Sequence, residues 1–372
     1  MHILLTGGGS GGHVFPLIAI ARELKKRADD EGTKLHLHYM GPPDQWRDTL
    51  ELEGIHVHTV HSAKWRRYPS AENITQLWKL PFGIFEAAWK LFWIMPSAIF
   101  SKGGYGSLPA IWVSRLYRIP VMIHESDAIP GIANRFAAKF AKRIFVSFEH
   151  AIDFFPKSRT TLVGNPVRPQ LAQSDANSAK SLLRLDGKKP ILYITGSSLG
   201  AQKINEIVVN TLPHLLERYE IIHQCGRAHV DELSDLVRKE YRAELLHDYH
   251  LYGFLNESEQ SAAYAASDLI IARGSASTIF EIAQAGKPSI VIPLSSAAAN
   301  HQFENASAYA KHGAAVVLDE QNLTPNLFLE AIANLMESEE RRLTMREAAI
   351  QFAKPDAAKN IADELFEFAL RQ

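Results

Sequence analysis

One cysteine, Cys225, stands in 372 residues, so an internal disulfide, a secreted disulfide framework and a multi-cysteine zinc site are all excluded. A buried, inert thiol is its expected role. Charge of one sign is missing too: 40 basic side chains face 41 acidic ones for a net charge of -1, and no whole-chain field invites nucleic acid as a partner. Long hydrophobic runs are absent. The most apolar stretch, Phe82 to Phe100, is broken by Glu86, Lys90 and Pro96, short of the ~18 uninterrupted apolar residues of a membrane-spanning helix. The opening Met1-His2-Ile3-Leu4-Leu5-Thr6 has neither the basic start nor the longer apolar core of a secretion signal and runs straight into glycines. It reads as a first strand.

What is present is length for two cores, since domains run to ~100–200 residues, and two domains imply a cleft between them. Short β-rich runs alternate with helix-period segments throughout, the pattern of parallel sheets built from βαβ units. Strands are expected at Ile3–Thr6, Leu35–Met40, Ala98–Ser101, Val121–His124 and Ile144–Phe148, then at Ile191–Thr195, Ile221–Gln224, Leu251–Phe254, Leu269–Ala272, Ser289–Pro293 and Ala315–Leu318. Helical periodicity, as in Ile204-Ile207-Val208-Leu212-Leu215, falls between them. A repetition sharpens the picture. Ile3 to Thr6 followed by Gly7-Gly8-Gly9-Ser10-Gly11-Gly12 is echoed by Ile191 to Thr195 followed by Gly196-Ser197-Ser198-Leu199-Gly200. Each is a strand ending in a glycine- and serine-rich turn that opens a helix. Two Rossmann-like α/β domains explain the echo better than one large sheet. The expected domains are 1–165 and 166–354, with a hinge between Gly164-Asn165-Pro166 and Lys189-Pro190. Residues 355–372 are free to cross back onto the first domain, although nothing in the sequence demands it.

Gly7, Gly9 and Gly12 satisfy G-x-G-x-x-G between a strand and a helix, which raises dinucleotide binding first. Backbone N–H groups at an exposed helix start hold a phosphate of any nucleotide, however, and glycines let the chain approach it closely. The second strand discriminates, because a nicotinamide site would place an acidic residue at its carboxyl end. Here that strand ends Tyr39-Met40-Gly41-Pro42, and nicotinamide chemistry loses ground. Five glycines and a serine in six positions are more than a tight turn needs. His13 follows them directly, at the mouth of the anion site.

The further blocks Gly103-Gly104-Tyr105, His124-Glu125, Gly164-Asn165-Pro166-Val167-Arg168, Tyr264 to Asp268, Arg273, Glu281-Ile282-Ala283, Ala285-Gly286 and His301-Gln302-Phe303-Glu304-Asn305-Ala306 follow in order. Together with Gly7 to Pro16 they resemble the MurG family, the undecaprenyl-diphospho-muramoylpentapeptide β-N-acetylglucosaminyltransferases of peptidoglycan synthesis. The resemblance covers roughly the whole chain and is weakest at residues 42–95 and after 320. It implies a GT-B fold, two Rossmann-like domains facing each other, with the donor UDP-N-acetylglucosamine mainly on the second and the acceptor lipid I on the first. It also implies inversion, an α-linked donor becoming a β-1,4 linkage in lipid II, by an enzyme peripheral to the cytoplasmic face of the cell membrane. By matching motif, Glu281 would hold the ribose hydroxyls and Ala276, Ser277, Thr278, Ile279 and Phe280 would meet the nucleotide. Leu255 would meet the uracil through its backbone, Ser198 and Arg168 would flank the diphosphate, and Gln302 would contact the sugar. Asn205 and Tyr105 complete the implied substrate contacts, and Ser10, Gly11, Gly12 and His13 would face the reacting sugar and the acceptor. Departures are His124-Glu125-Ser126-Asp127 where the family usually reads His-Glu-Gln-Asn, Leu199 for a common Gln, Ser10 for Thr and His301 for Gln. The change at Asp127 sets a carboxylate near a diphosphate.

Inverting transfer in one displacement needs a base for the acceptor hydroxyl, stabilisation of the departing diphosphate and a sugar held in line. His13 is the first choice for the base, since an unperturbed pKa of ~6.5 suits the task; Asp127 and Glu125 are rivals, and Glu125 could instead orient His13 or His124. Asp-x-Asp occurs nowhere, so activity is expected without a protein-bound metal or other cofactor, helix N-termini and Arg168 stabilising the leaving group. The sixteen histidines include His36, His38, His56, His58 and His61, whose alternation reads as a strand face more than a metal site. Lys64-Trp65-Arg66-Arg67-Tyr68, Trp78-Lys79, Phe85, Trp89 and Trp93 mix bases with aromatics, which suits segment 64–93 to an anionic membrane surface. For Trp89 and Trp93, four residues apart, packing against the core is an equal alternative. Rival readings are a UDP-N-acetylglucosamine 2-epimerase-like enzyme, a related lipid glycosyltransferase and a nucleotide-sugar-binding regulator.

Overall fold

A computed structural model describes residues 1–371 except 10, 43–45, 63–70, 169–174, 197–200 and 297–299, with the backbone alone at 71–80. Two compact units are present, Met1–Val167 with Lys354–Gln372 and Arg168–Ala353. In the first, β1 (His2–Thr6), α1 (Gly11–Asp30), β2 (His36–Gly41), α2 (Arg47–Leu52), β3 (His56–Thr59), α3 (Ala71–Ile94), β4 (Ala98–Ser101), α4 (Leu108–Tyr117), β5 (Val121–Glu125), α5 (Ile132–Ala137), β6 (Arg143–Val146) and β7 (Thr160–Leu162) follow in order. The described strands form one parallel sheet, β3-β2-β1-β4-β5-β6-β7. Chain order reverses beside β1, so the β1–β4 junction is the switch point where such sheets take ligands.

Burial follows from the sequence alternation. Ile3 and Leu5 of β1 face Val14, Leu17, Ala21 and Leu24 of α1, while Leu4 points to the other side, toward Ala87 and Leu91 of α3 and Ile111 of α4. Both faces are covered, which is why the middle of β1, Ile3-Leu4-Leu5, is apolar without a break.

The second unit runs α6 (Ala176–Leu183), β8 (Ile191–Thr195), α7 (Gln202–Arg218), β9 (Glu220–Gln224), α8 (Val230–Glu240), β10 (Tyr249–Tyr252), α9 (Glu257–Ala266), β11 (Leu269–Ala272), α10 (Ala276–Ala285), β12 (Ser289–Val291), α11 (His301–Lys311), β13 (Ala315–Val317), α12 (Pro325–Met336) and α13 (Glu339–Phe352). Its parallel sheet is β10-β9-β8-β11-β12-β13, with the switch point between β8 and β11. Local signals set the helix ends: Asn256 and Glu259 form a capping box on α9, and Gly286 closes α10 at φ 60°, a left-handed conformation that favours glycine. The final helix, α14 (Ala357–Leu370), belongs to the first unit, where Ala358, Ile361, Ala362, Leu365, Phe366 and Ala369 join the core beside α1.

Three strand expectations needed revision. The edge strands β3 and β7 carry little apolar sequence, His-Val-His-Thr and a largely exposed Thr-Thr-Leu, so periodicity alone passed over them. Strand β10 begins at Tyr249, two residues ahead of the expected start, and Phe254 lies outside it under the Arg227 guanidinium.

His2, His36, His38, His56 and His58 share one face of β1–β3 as a row of imidazoles in ring contact. His2 Nδ1 lies 3.0 Å from His38 Nε2, and His38 Nδ1 lies 3.1 Å from His58 Nε2. Burial, then the neighbouring rings, pushes His38 down to about 4, and burial likewise lowers His2 and His58. His61 is apart, bonded to Glu86 at 3.0 Å.

No described helix is long and apolar enough to cross a membrane. On α3, Ala87 and Leu91 are buried, whereas Trp89 and Trp93 are 61% and 70% exposed and meet edge to face at 6.0 Å. Core packing does not account for these two rings. Lys64, Trp65, Arg66, Arg67 and Tyr68, and the side chains of Trp78 and Lys79, lie outside the described residues.

Candidate active site

At the first switch point two glycine segments interlock. A Cβ added at Gly8 would sit 2.9 Å from His13 Cδ2, and one at Gly104 would sit 3.1 Å from the Gly8 backbone and 3.3 Å from His13 Nε2. The half-buried His13 ring therefore lies against backbone that only glycine permits. Gly104 itself takes φ 80°, and Tyr105 follows at the start of a short 3-10 turn. Helix α1 starts here with no acid in its first turn and Gly12 exposed, so its positive end is open to an anion. Ser10 lies outside the described residues.

Glu125, at the carboxyl end of β5, is buried. Its Oε1 accepts from the Asp127 N–H at 3.0 Å, and its Oε2 accepts from the Gly131 N–H at 3.0 Å and Asn134 Nδ2 at 2.9 Å. Burial, reinforced by the Asp127 charge, raises it to about 7 against those donors. Orientation of His124 by Glu125 is not what the structure has. Instead His124 Nδ1 accepts from Lys102 Nζ at 2.7 Å, and its Nε2–H donates to the Gly164 carbonyl at 2.9 Å. With both nitrogens engaged the ring is locked neutral, and burial holds its pKa well below the usual range. Half-buried Asp127 stands in the turn just after. His13, Glu125, Asp127, Gly11, Gly12 and Tyr105 thus gather at the carboxyl ends of β1, β4 and β5.

The second switch point centres on α10. Ser275 caps the helix, its Oγ accepting from the Thr278 N–H at 3.3 Å, and the first turn holds no acid. Glu281, one turn in, is nearly buried. Its Oε1 accepts from Arg168 Nη2 at 3.2 Å, and its Oε2 from the Tyr264 hydroxyl at 3.0 Å and Gln260 Nε2 at 3.3 Å. Arg168 Nη2 also donates to Gln260 Oε1 at 2.6 Å. Burial, then the Glu281 charge, pushes the Tyr264 hydroxyl well up, so it stays a donor. The loop before α10 is braced from behind: Arg273 donates to Glu320 at 2.5 Å, and Glu320 accepts from the Ser295 N–H at 2.9 Å. Burial would raise Glu320, but the Ser295 and Arg273 donors outweigh it and keep it low. Gln302 touches the same loop, since a Cβ at Gly274 would meet its backbone oxygen at 2.5 Å, and its Oε1 accepts from the Leu294 N–H at 2.9 Å.

Ala276, Ser277, Thr278, Glu281, Gln302 and Arg168 are therefore brought together. Ile279 and Phe280 are buried, Phe280 against Phe352, and offer a ligand backbone only. The Leu255 side chain is also buried. Asn205 is not at this rim: its Nδ2 donates to the Cys225 carbonyl at 3.0 Å and its Oδ1 accepts from His223 Nε2 at 3.1 Å. Ser198 lies outside the described residues. Sequence reasoning missed Lys102, Gln260 and Glu320. The one available signal was a lysine directly after the apolar strand Ala98-Ile99-Phe100-Ser101.

Sequence models of glycosyltransferase family 28 match the chain twice, the N-terminal domain over residues 3–146 and the C-terminal domain over 191–361. The class is thus the two-domain GT-B glycosyltransferases. The UDP-N-acetylglucosamine--N-acetylmuramyl-(pentapeptide) pyrophosphoryl-undecaprenol N-acetylglucosamine transferase 2 of Bacillus anthracis is 36% identical over 340 residues, 91% of this chain and 92% of the relative. The crystal structure of MurG from Acinetobacter baumannii superposes with a TM-score of 0.72 at 27% identity, over 98% of this chain and 99% of that one. This chain belongs to the MurG family. The UDP-GlcNAc 2-epimerase of Neisseria meningitidis shares the fold, with a TM-score of 0.67 at 15% identity over the whole of both chains.

Proposed function

We propose that this protein transfers N-acetylglucosamine from UDP-N-acetylglucosamine to the C4 hydroxyl of the muramoyl sugar of lipid I, with inversion, giving lipid II. The start of α10 carries the reading, in a chain 36% identical to a transferase of that name. An acid-free helix N-terminus suits a diphosphate, and Glu281 one turn later is the carboxylate that ribose hydroxyls pair with. In this reading Arg168, Ser198, Leu255, residues 276–281 and Gln302 serve the donor, and residues 10–13 with Tyr105 serve the acceptor. His13 takes the acceptor proton. Glu125 is less suited, because both its oxygens already accept N–H groups, and His124 has no open nitrogen. Asp127 is the remaining alternative.

Incubation with radiolabelled UDP-N-acetylglucosamine and a short-chain lipid I analogue tests this. A β-linked disaccharide product is expected. Epimerised sugar would support the epimerase reading, and binding without turnover the regulatory one.

The same reading places the protein peripherally at the cytoplasmic face of the cell membrane. Phe85, Trp89, Phe92 and Trp93 are exposed in succession along α3, which suits rings seated among headgroups. Replacing Trp89 and Trp93 by serine should weaken cosedimentation with phosphatidylglycerol vesicles at least ~fivefold; unchanged binding counts against the membrane role.

A further inference from the structure

We propose that Lys102 is a positioning residue for this transfer: it holds the turn that carries Asp127 and supplies the counter-charge that lets Glu125 and Asp127 stand together beside a diphosphate-linked acceptor. The proposal rests on the functional reading above.

Lys102 is 1% exposed, the first residue after β4. A buried ammonium is costly unless every proton finds an acceptor and an opposite charge is near. Both conditions hold. Nζ donates to His124 Nδ1 at 2.7 Å, Ser126 Oγ at 2.6 Å and Asn165 Oδ1 at 2.9 Å, three acceptors for three protons. They come from separate segments: the end of β5, the turn after it and the stretch after β7. Burial pushes Lys102 down to about 7, and the Glu125 and Asp127 charges resist the fall.

Its backbone joins the same network. The Lys102 N–H donates to the Thr6 carbonyl at 2.9 Å, just before the first glycine loop. Gly103 and Gly104 follow, and Gly104 is the seat of His13. One residue therefore links the glycine loop, the Gly104 seat and the Asp127 turn. The titratable groups gathered here are His13 from α1, His124 and Glu125 from β5, and Asp127. A neutral side chain at 102 would remove the donor that Ser126, Asn165 and His124 share and the positive charge that faces Glu125 and Asp127.

Lys102→Met and Ser126→Ala in the transfer assay decide the matter, with kcat and KM measured for each substrate. Lys102→Met should lower kcat ~10–100-fold while KM for UDP-N-acetylglucosamine stays within about twofold. The unmodified enzyme should show an alkaline limb near neutrality, where Lys102 loses its proton, and this limb should vanish in the variant. Asp127→Asn should cost at least ~fivefold less in the Lys102→Met background than alone, because the charges are coupled. Ser126→Ala should lower kcat ~3–10-fold with the same KM pattern, and it decides the question if Lys102→Met does not fold. Unchanged kcat and pH profile, or independent effects at 102 and 127, overturn the proposal. If the unmodified protein makes no disaccharide, the functional reading falls and takes this one with it.

Discussion

At the scale of single residues, Glu281 is the side chain whose surroundings say most. Its contacts with Arg168, Tyr264 and Gln260 aim the carboxylate and make it expensive to remove. Glu281→Ala removes the carboxylate that faces a buried guanidinium, and urea denaturation should show a loss of about 3–5 kcal/mol. Tyr264→Phe removes one hydrogen bond to a charged group and should cost about 1.5–3 kcal/mol, with UDP binding by calorimetry weakened but present. His13→Ala should reduce kcat by ~10²–10⁴-fold if the ring is the base; retained turnover would move that role to Asp127. The motif residues here were legible because glycine and histidine at a helix start, and a buried-stripe acid one turn into a helix, each have few reasons to be there. Their supports were not. Lys102, Gln260 and Glu320 act across 21 to 92 positions of sequence, as with Gln260 to Glu281 and Arg168 to Gln260, and no local pattern records such a pairing.

At the scale of elements, the imidazole row on β1–β3 gives stability a pH dependence of definite sign. Well above pH ~6.5 His2, His38 and His58 are neutral in both states; below it the unfolded chain takes up protons at these positions that their burial in the native row resists, down to about 4 at His38. Native stability should therefore fall by about 2.5 kcal/mol as pH drops from 6.5 to 4, most of it from His38. His38→Gln should flatten most of that slope in denaturation at several pH values. The alternation that sets these histidines on one face was visible in the sequence, yet β3 itself was not, because a half-exposed edge strand needs few apolar residues. Helix α3 shows the converse difficulty. Tryptophans four residues apart fit a core stripe or a solvent stripe equally well, and only the burial of neighbouring Ala87 and Leu91 separates the two.

At the scale of the molecule, strand–helix alternation and the doubled glycine turn were enough to read two parallel sheets, because the central strands of each sheet are covered on both faces and carry apolar runs. The place of α14 was not readable: its apolar stripe would suit any exposed helical surface. The structure spends it on α1, where Ile361 and Leu365 are wholly buried. Ile361→Ala should cost about 2–5 kcal/mol, and limited proteolysis should then cut the first unit before the second. The chain returns to that unit only after passing through all of the other. During synthesis, then, the half that leaves the ribosome first must wait with an open groove along α1 while the half that follows can close at once. A nascent chain therefore carries its first unit unfinished until its last residues emerge, a natural client for a chaperone.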